Sequence, residues 1–237
     1  IFVDDDIFRR ELETIFLRSW CFVGHDSEIP HVGDFVTRTL AAAPVIVVRD
    51  GDASVKVLLN SCRHRGTQLC RTDAGNAKFF VCPYHGWTYR PDGTLMTTTL
   101  EQRLPTDFDA ASNGLLAAPR VERFKGLIFA SWNADVEPLP VYLGDFAWYL
   151  ELMFGRTPLG MEVLAPPQRW RVRANWKIGA VNLCGDNQHV VTTHLGPLTL
   201  DPLHQVLGGN TDVVDDSFQI VGGEGHAATL TYLTEGL

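Results

Sequence analysis

Residues 61–66 read SCRHRG and residues 82–87 read CPYHGW, so cysteine precedes histidine twice: Cys62 with His64, and Cys82 with His85. Thiolate and neutral imidazole are both metal ligands. A finger-type zinc site usually presents a cysteine pair followed by a histidine pair, whereas here each loop carries one of each. That order suits a two-iron, two-sulfide cluster pinched between two β-hairpin loops, each loop giving its thiolate to one iron and its imidazole to the other. Gly66 and Gly86 let the backbone turn close to such a cluster. Two imidazoles in place of two thiolates make the centre less negative and raise its potential above that of an all-cysteine cluster. The chemistry would be a one-electron relay. A zinc site and a coincidental set of structural residues are the competing readings.

The stretches CRHRG and CPYHGW resemble the Rieske domain of the non-haem iron ring-hydroxylating oxygenases, in their large (α) subunit. Respiratory Rieske proteins differ in adding a bridged cysteine to each loop. Here Arg65 and Gly66 follow His64, and Tyr84 lies between Pro83 and His85, so no bridge is available. Trp87 stands where the respiratory type has a serine that donates to cluster sulfur. The resemblance implies a potential at the lower end of the Rieske range, about −150 mV. It also implies electrons from NAD(P)H by way of a reductase and usually a ferredoxin.

A second stretch, NWKIGAVNLCGDNQHVVTTHLG at 175–196, resembles the same family's mononuclear iron segment, with Asp186, His189 and His194 at the matching positions. On a regular helix Asp186 and His189 share a face, but His189 and His194 sit about 140° apart. The β-branched run from Val190 to Thr193 favours an irregular turn that could bring the two imidazoles together. Two histidines and one carboxylate on one face of Fe(II) leave positions open for dioxygen and substrate. The resemblance assigns His189 and His194 to the iron. It places the carboxylate ligand far downstream, beyond Leu237; the acids Asp201, Asp212, Asp215, Asp216 and Glu224 read as loop residues. Asp186 would bridge His189 to the cluster histidine of a neighbouring subunit in an α trimer, orienting both rings. The alternative for Asp186 is an acid held by a helix N-terminus. Asn182, Leu183 and Val190 flank the ligands and would line a substrate pocket. Val181 and Gln188 depart from the family's usual glutamate and tyrosine.

These groups need a scaffold, and the composition supplies one. The 237 residues are 45% hydrophobic and 20% charged, enough to build a core. Twenty basic against 28 acidic residues give a net charge of −8, which argues against a nucleic-acid or anionic-membrane surface. No apolar run approaches eighteen residues, and acid stands near the amino terminus, so the reading is a cytoplasmic chain without a membrane segment. Five cysteines are too few and odd in number for a disulfide scaffold.

The predicted fold class is α+β: an N-terminal helix within 1–20 that packs on the catalytic domain, an all-β 2Fe–2S domain over 21–135, and part of a mixed catalytic domain over 136–237. Short β-branched runs (DFVTRTL, PVIVVRD, SVKVLLN, KFFVCPY) separated by Gly, Pro, Asp and Asn mark the strands. DFAWYLELMF reads as a helix buried in a core or an interface. EVLAPPQRWRVRA, SFQIVGG and AATLTYL read as strands around a helix near 175–190. The resemblance implies dioxygen insertion into an aromatic ring, with β subunits as possible partners. Monooxygenation on the same cofactors, and an electron carrier fused to a binding domain without catalysis, are the alternative functions.

Overall fold

The structure is a computed structural model, and it describes residues 1–99, 104–186, 193, 217–222 and 225–231. His189, Val190 and His194 lie outside the described residues. Two compact units are resolved: Asp5–Val141 with Tyr149–Pro167, and Ile1–Asp4 with Tyr142–Trp148 and Gln168–Leu237.

In the first unit, helix α1 (Asp5–Glu11) opens on Asp5 and Asp6 and closes on Arg9 and Arg10, a charge order that complements the helix dipole. It continues into one π-type turn, Leu12–Phe16. Strands β1 (Cys21–His25), β2 (Asp34–Leu40), β3 (Ala43–Arg49), β4 (Val55–Leu59), β5 (Ala74–Asn76), β6 (Phe80–Val81), β7 (Thr88–Tyr89), β8 (Leu95–Thr97), β9 (Arg120–Phe124) and β10 (Leu127–Ser131) follow. They form three antiparallel sheets, in the orders β1-β10-β9, β4-β3-β2-β5 and β6-β7-β8.

The apolar run PVIVVRD is explained by burial on both faces. Side chains alternate across a strand. Val45 and Val47 of β3 join Val36, Val57, Ile128 and Ala130 in one core, while Ile46 and Val48 join Leu58, Phe80, Tyr89 and the two loop cysteines in another. The central sheet therefore has the β1-β10-β9 sheet on one side and the metal-site loops on the other. Its rigidity is passed directly to those loops.

Turn chemistry fixes the registers. Lys125 (φ 50°) and Gly126 (φ 85°) make the two-residue β9–β10 turn, which pairs Phe124 with Leu127. Beside that turn His25 is buried, its Nδ1 accepting from the Ser27 N–H at 3.2 Å while Ser27 Oγ accepts from the Val163 N–H at 2.9 Å. Arg49, also buried, pairs with Asp26 at 2.7 Å and donates to the Ile29 carbonyl at 3.0 Å, tying β3 to the segment after β1.

Helices α2 (Leu139–Leu143) and α3 (Phe146–Phe154) come next, followed in the second unit by α4 (Trp176–Cys184) and the hairpin β11 (Ser217–Gly222) and β12 (His226–Thr231). The apolar α3 buries none of its residues against this chain: Trp148, Leu152 and Met153 are exposed. EVLAPPQRWRVRA, predicted as a strand, is solvent-exposed and forms no strand among the described residues. Pro166 and Pro167 lack the N–H groups that a ladder needs, which accounts for the difference. SFQIVGG and AATLTYL do form a hairpin, and the helix predicted near 175–190 is α4. No helix among the described residues is long and apolar enough to cross a membrane.

Candidate metal centre

The two Cys–His loops share one backbone closure. The Cys62 N–H donates to the Thr67 carbonyl at 2.9 Å, and the Gly66 N–H donates to the Cys62 carbonyl at 2.8 Å. In the second loop the Cys82 N–H donates to the Trp87 carbonyl at 2.8 Å, and the Gly86 N–H to the Cys82 carbonyl at 3.0 Å. Each loop thus runs from a cysteine to a positive-φ glycine four residues later, Gly66 at 75° and Gly86 at 70°. Only the histidine position differs, third in one loop and fourth in the other.

Supports surround this pair. Asn60, buried at the end of β4, accepts from the Leu69 and Cys70 N–H groups at 3.0 and 2.9 Å and donates to the Cys70 carbonyl at 2.8 Å, which braces the chain leaving the first loop. Thr99 Oγ1 donates to the His85 carbonyl over Gly86, and Thr88 donates to the Gly86 carbonyl at 3.0 Å.

The donors sort by type. Both cysteines are buried, each 3% exposed, and each perturbs the other's thiol. Farther out, the rings of His64 and His85 have centroids 4.7 Å apart. Among the described residues no three His, Cys, Asp or Glu side chains share one focus. Two pairs are what a two-iron rhomb takes, with bridging sulfides completing each iron; a tetrahedral zinc takes four donors at one point.

One atom tests the fit of such a cluster: Nδ1 of His64 is buried without a hydrogen-bond partner. A buried polar atom left unpaired is costly, and a metal bond removes the cost. Electrostatics favour the ligand forms of His64 and Cys82 and oppose that of Cys62. Desolvation, then the charges of His85 and Arg65, hold His64 below the ordinary imidazole range and so neutral. Burial raises the Cys62 thiol despite the Tyr89 hydroxyl beside it. Burial also pushes the Cys82 thiol up, but the backbone N–H groups of His85 and Tyr84, with Cys62 and Thr67, together bring it below the ordinary value.

Tyr89 and Trp87 contribute what motif spacing does not reveal. Tyr89, fully buried on β7, places its hydroxyl 3.2 Å from the Cys62 sulfur. Trp87 stacks on His64 at 5.0 Å between centroids, 9° from parallel. Trp87, just before β7, and Tyr89 on it join the same core, and their two-residue spacing was the available signal.

In the second segment, Asn175 caps α4 by accepting from the Lys177 N–H at 3.1 Å, and the helix ends at Gly185, whose N–H reaches the Val181 carbonyl at 2.7 Å. Asp186 is half-buried just past that C-terminus, so it is not an acid at the N-terminus of α4. Asn182 and Leu183 are exposed on the last turn of α4. The Thr229 hydroxyl donates to the Leu183 carbonyl at 3.1 Å, and the Cys184 thiol donates to the Ala227 carbonyl at 3.5 Å, so β12 holds this turn.

Residues 19–107 match the Rieske [2Fe-2S] domain. With that domain followed by a mixed helical and antiparallel segment, the chain belongs to the Rieske aromatic ring-hydroxylating dioxygenase α subunits, of which it is an N-terminal portion. It is 42% identical over 215 residues to the biphenyl 2,3-dioxygenase α subunit of Rhodococcus jostii (strain RHA1), covering 91% of this chain and 45% of that protein. It is 43% identical over 196 residues to the N,N-dimethyl phenylurea N-demethylase α subunit of Sphingobium sp. (strain YBL2), covering 82% of this chain and 43% of that one. Among solved structures, naphthalene 1,2-dioxygenase from Rhodococcus sp. bound to indole superposes with a TM-score of 0.86 at 35% identity, over 99% of this chain and 53% of that chain. The chain spans less than half the length of the curated relatives it matches.

Proposed function

We propose that this chain carries the electron-receiving part of a terminal oxygenase, one that takes electrons from NAD(P)H through a reductase or ferredoxin and dihydroxylates an aromatic compound with dioxygen. The observation that carries the reading is the paired donor set with the orphaned His64 Nδ1, within a chain 42–43% identical to oxygenase α subunits. Cys62 and Cys82 hold one iron of the cluster and His64 and His85 the other. When bound, the cluster supplies one-electron transfer near the potential of a reductase-fed relay. The protein's own work is to keep the His64 imidazole neutral, to donate to Cys62 from Tyr89, and to exclude water with Trp87 and the core beneath.

His189 and His194 are the proposed holders of a mononuclear Fe(II), with Asp186 as the bridge from His189 to His85 of the partner subunit in an α trimer, with or without β subunits. Asn182, Leu183 and Val190 are the proposed pocket residues. The domain boundaries near residues 20 and 135 belong to the same proposal.

Iron and acid-labile sulfide analysis of the purified oxygenase carrying this chain tests the reading. About three irons per chain support it; about two point to a Rieske carrier without its own catalytic iron. Asp186→Asn should leave the metal content unchanged and slow turnover strongly, and unchanged turnover removes the bridge. Similarity to the phenylurea N-demethylase α subunit favours a second reading, monooxygenation by N-dealkylation. Product analysis separates the two: a dihydrodiol with both atoms of labelled dioxygen, or a product that has gained or lost through one.

A further inference from the structure

The rings around the metal centre stand in a row that runs from the core to solvent. Trp87, 7% exposed, stacks on His64 at 5.0 Å; His64 faces His85 at 4.7 Å; and His85 meets Tyr84, 61% exposed, at 3.8 Å and 31°. The contact at the buried end crosses between loops, because Trp87 belongs to the second loop and His64 to the first. The indole is itself fixed: its backbone carbonyl accepts from the Cys82 N–H at 2.8 Å, and Phe108 packs edge-on against it at 5.8 Å and 81°.

We propose that Trp87 is a positioning and tuning residue that fixes the ring plane of His64 across the two loops and holds the cluster's reduction potential low. The inference rests on the proposed cluster. Two physical effects act in the same direction. An indole face carries negative partial charge, which opposes placing one more electron on an adjacent imidazole–iron unit. The ring also covers the buried side of His64 and keeps water away, and a less solvated centre is harder to make more negative. The redox change is a single electron added to the cluster by an external one-electron donor, with no bond made or broken in the protein. Replacing the indole with a smaller aliphatic group removes both effects, so the cluster becomes easier to reduce. Phe108 gives a control, since its ring packs edge-on against the indole.

The experiment is a mediated dithionite titration, followed by visible circular dichroism and electron paramagnetic resonance, on the cluster-loaded protein and its Trp87→Phe, Trp87→Leu and Phe108→Leu variants, with iron and sulfide measured for each. Trp87→Leu should shift the oxidised-to-reduced equilibrium about tenfold toward reduced, equivalent to about +59 mV for one electron. Trp87→Phe should shift it about threefold, with a changed g-tensor where the imidazole has turned. Phe108→Leu should stay within about twofold. A Trp87→Leu shift below about twofold at full iron and sulfide, or a shift of opposite sign, overturns the inference. Loss of the cluster from both Trp87 variants, with the β-sheet spectrum intact, also overturns it and leaves Trp87 a packing residue. Should the wild-type protein itself lack the spectrum of a histidine-ligated cluster, the proposed function fails rather than the role of Trp87.

Discussion

The hydroxyl of Tyr89 lies 3.2 Å from the sulfur of Cys62 and at the same time accepts the Arg63 N–H at 3.1 Å. Its proton is thereby directed at the sulfur, and burial raises its own pKa, so it stays a donor throughout the working pH range. A donor to cluster sulfur stabilises the more negative, reduced form. Tyr89→Phe should lower the reduction potential by about 60 mV, the one-electron equivalent of roughly 1.4 kcal/mol for one charge-assisted hydrogen bond. Protein-film voltammetry measures it, and an unchanged potential would show that the hydroxyl points elsewhere.

Gly66 and Gly86 occupy equivalent places in the two loops but have different neighbours. A Cβ at Gly86 would meet Thr99 Oγ1 at 2.5 Å, whereas at Gly66 the nearest atom is Ser61 Oγ at 3.8 Å. Gly66→Ala should cost only the left-handed backbone strain, about 1 kcal/mol, with iron content retained. Gly86→Ala must also displace the Thr99 bond to the His85 carbonyl, so iron retention on mild chelation should drop. Equal behaviour of the two variants would refute this.

Burial pushes the Cys70 thiol up to about 11 from an ordinary 9.0. A group that keeps its proton longer when folded supports the native state fully below the unfolded pKa and loses that support as pH rises. Stability should therefore fall between about pH 9 and 11, and Cys70→Ala should flatten that part of the curve. At pH 8 the native thiol should resist alkylation that the unfolded chain accepts. Chemical denaturation across this range, with and without the substitution, decides it.

The ion pair of Arg38 with Glu28 is largely buried, at 14% and 11% side-chain exposure, and Glu28 Oε2 also accepts the His25 N–H at 2.9 Å. Glu28→Ala strands a buried guanidinium and a backbone donor, and should cost about 3 kcal/mol. Glu151→Ala breaks the exposed pair with Lys125 and should cost less than about 0.5 kcal/mol. Denaturant midpoints of the two variants give the comparison.

Much of this was readable in the sequence because its signals are local. PVIVVRD announced a strand, and the Cys–His doublets announced their donors. What was not readable depends on contacts between segments. Tyr89 reaches Cys62 across 27 positions, and Trp87 of one loop stacks on His64 of the other. EVLAPPQRWRVRA was misread as a strand because its valines and tryptophan favour strands, whereas a ladder also needs free N–H groups, which Pro166 and Pro167 lack. For the second segment, α4 and its cap were visible in NWK, and Asp186 is described; the histidines assigned to iron lie outside the described residues.

Each Cys–His loop closes through main-chain bonds, braced by side chains from outside the loop, so the closure does not use the exposed side chains within it. Arg63, Arg65, Pro83 and Tyr84 all face solvent or stand half-exposed there. They form an exposed fingertip on a fixed knuckle, so the charge and shape of that tip can be rewritten while the main-chain closure beneath it stays as it is.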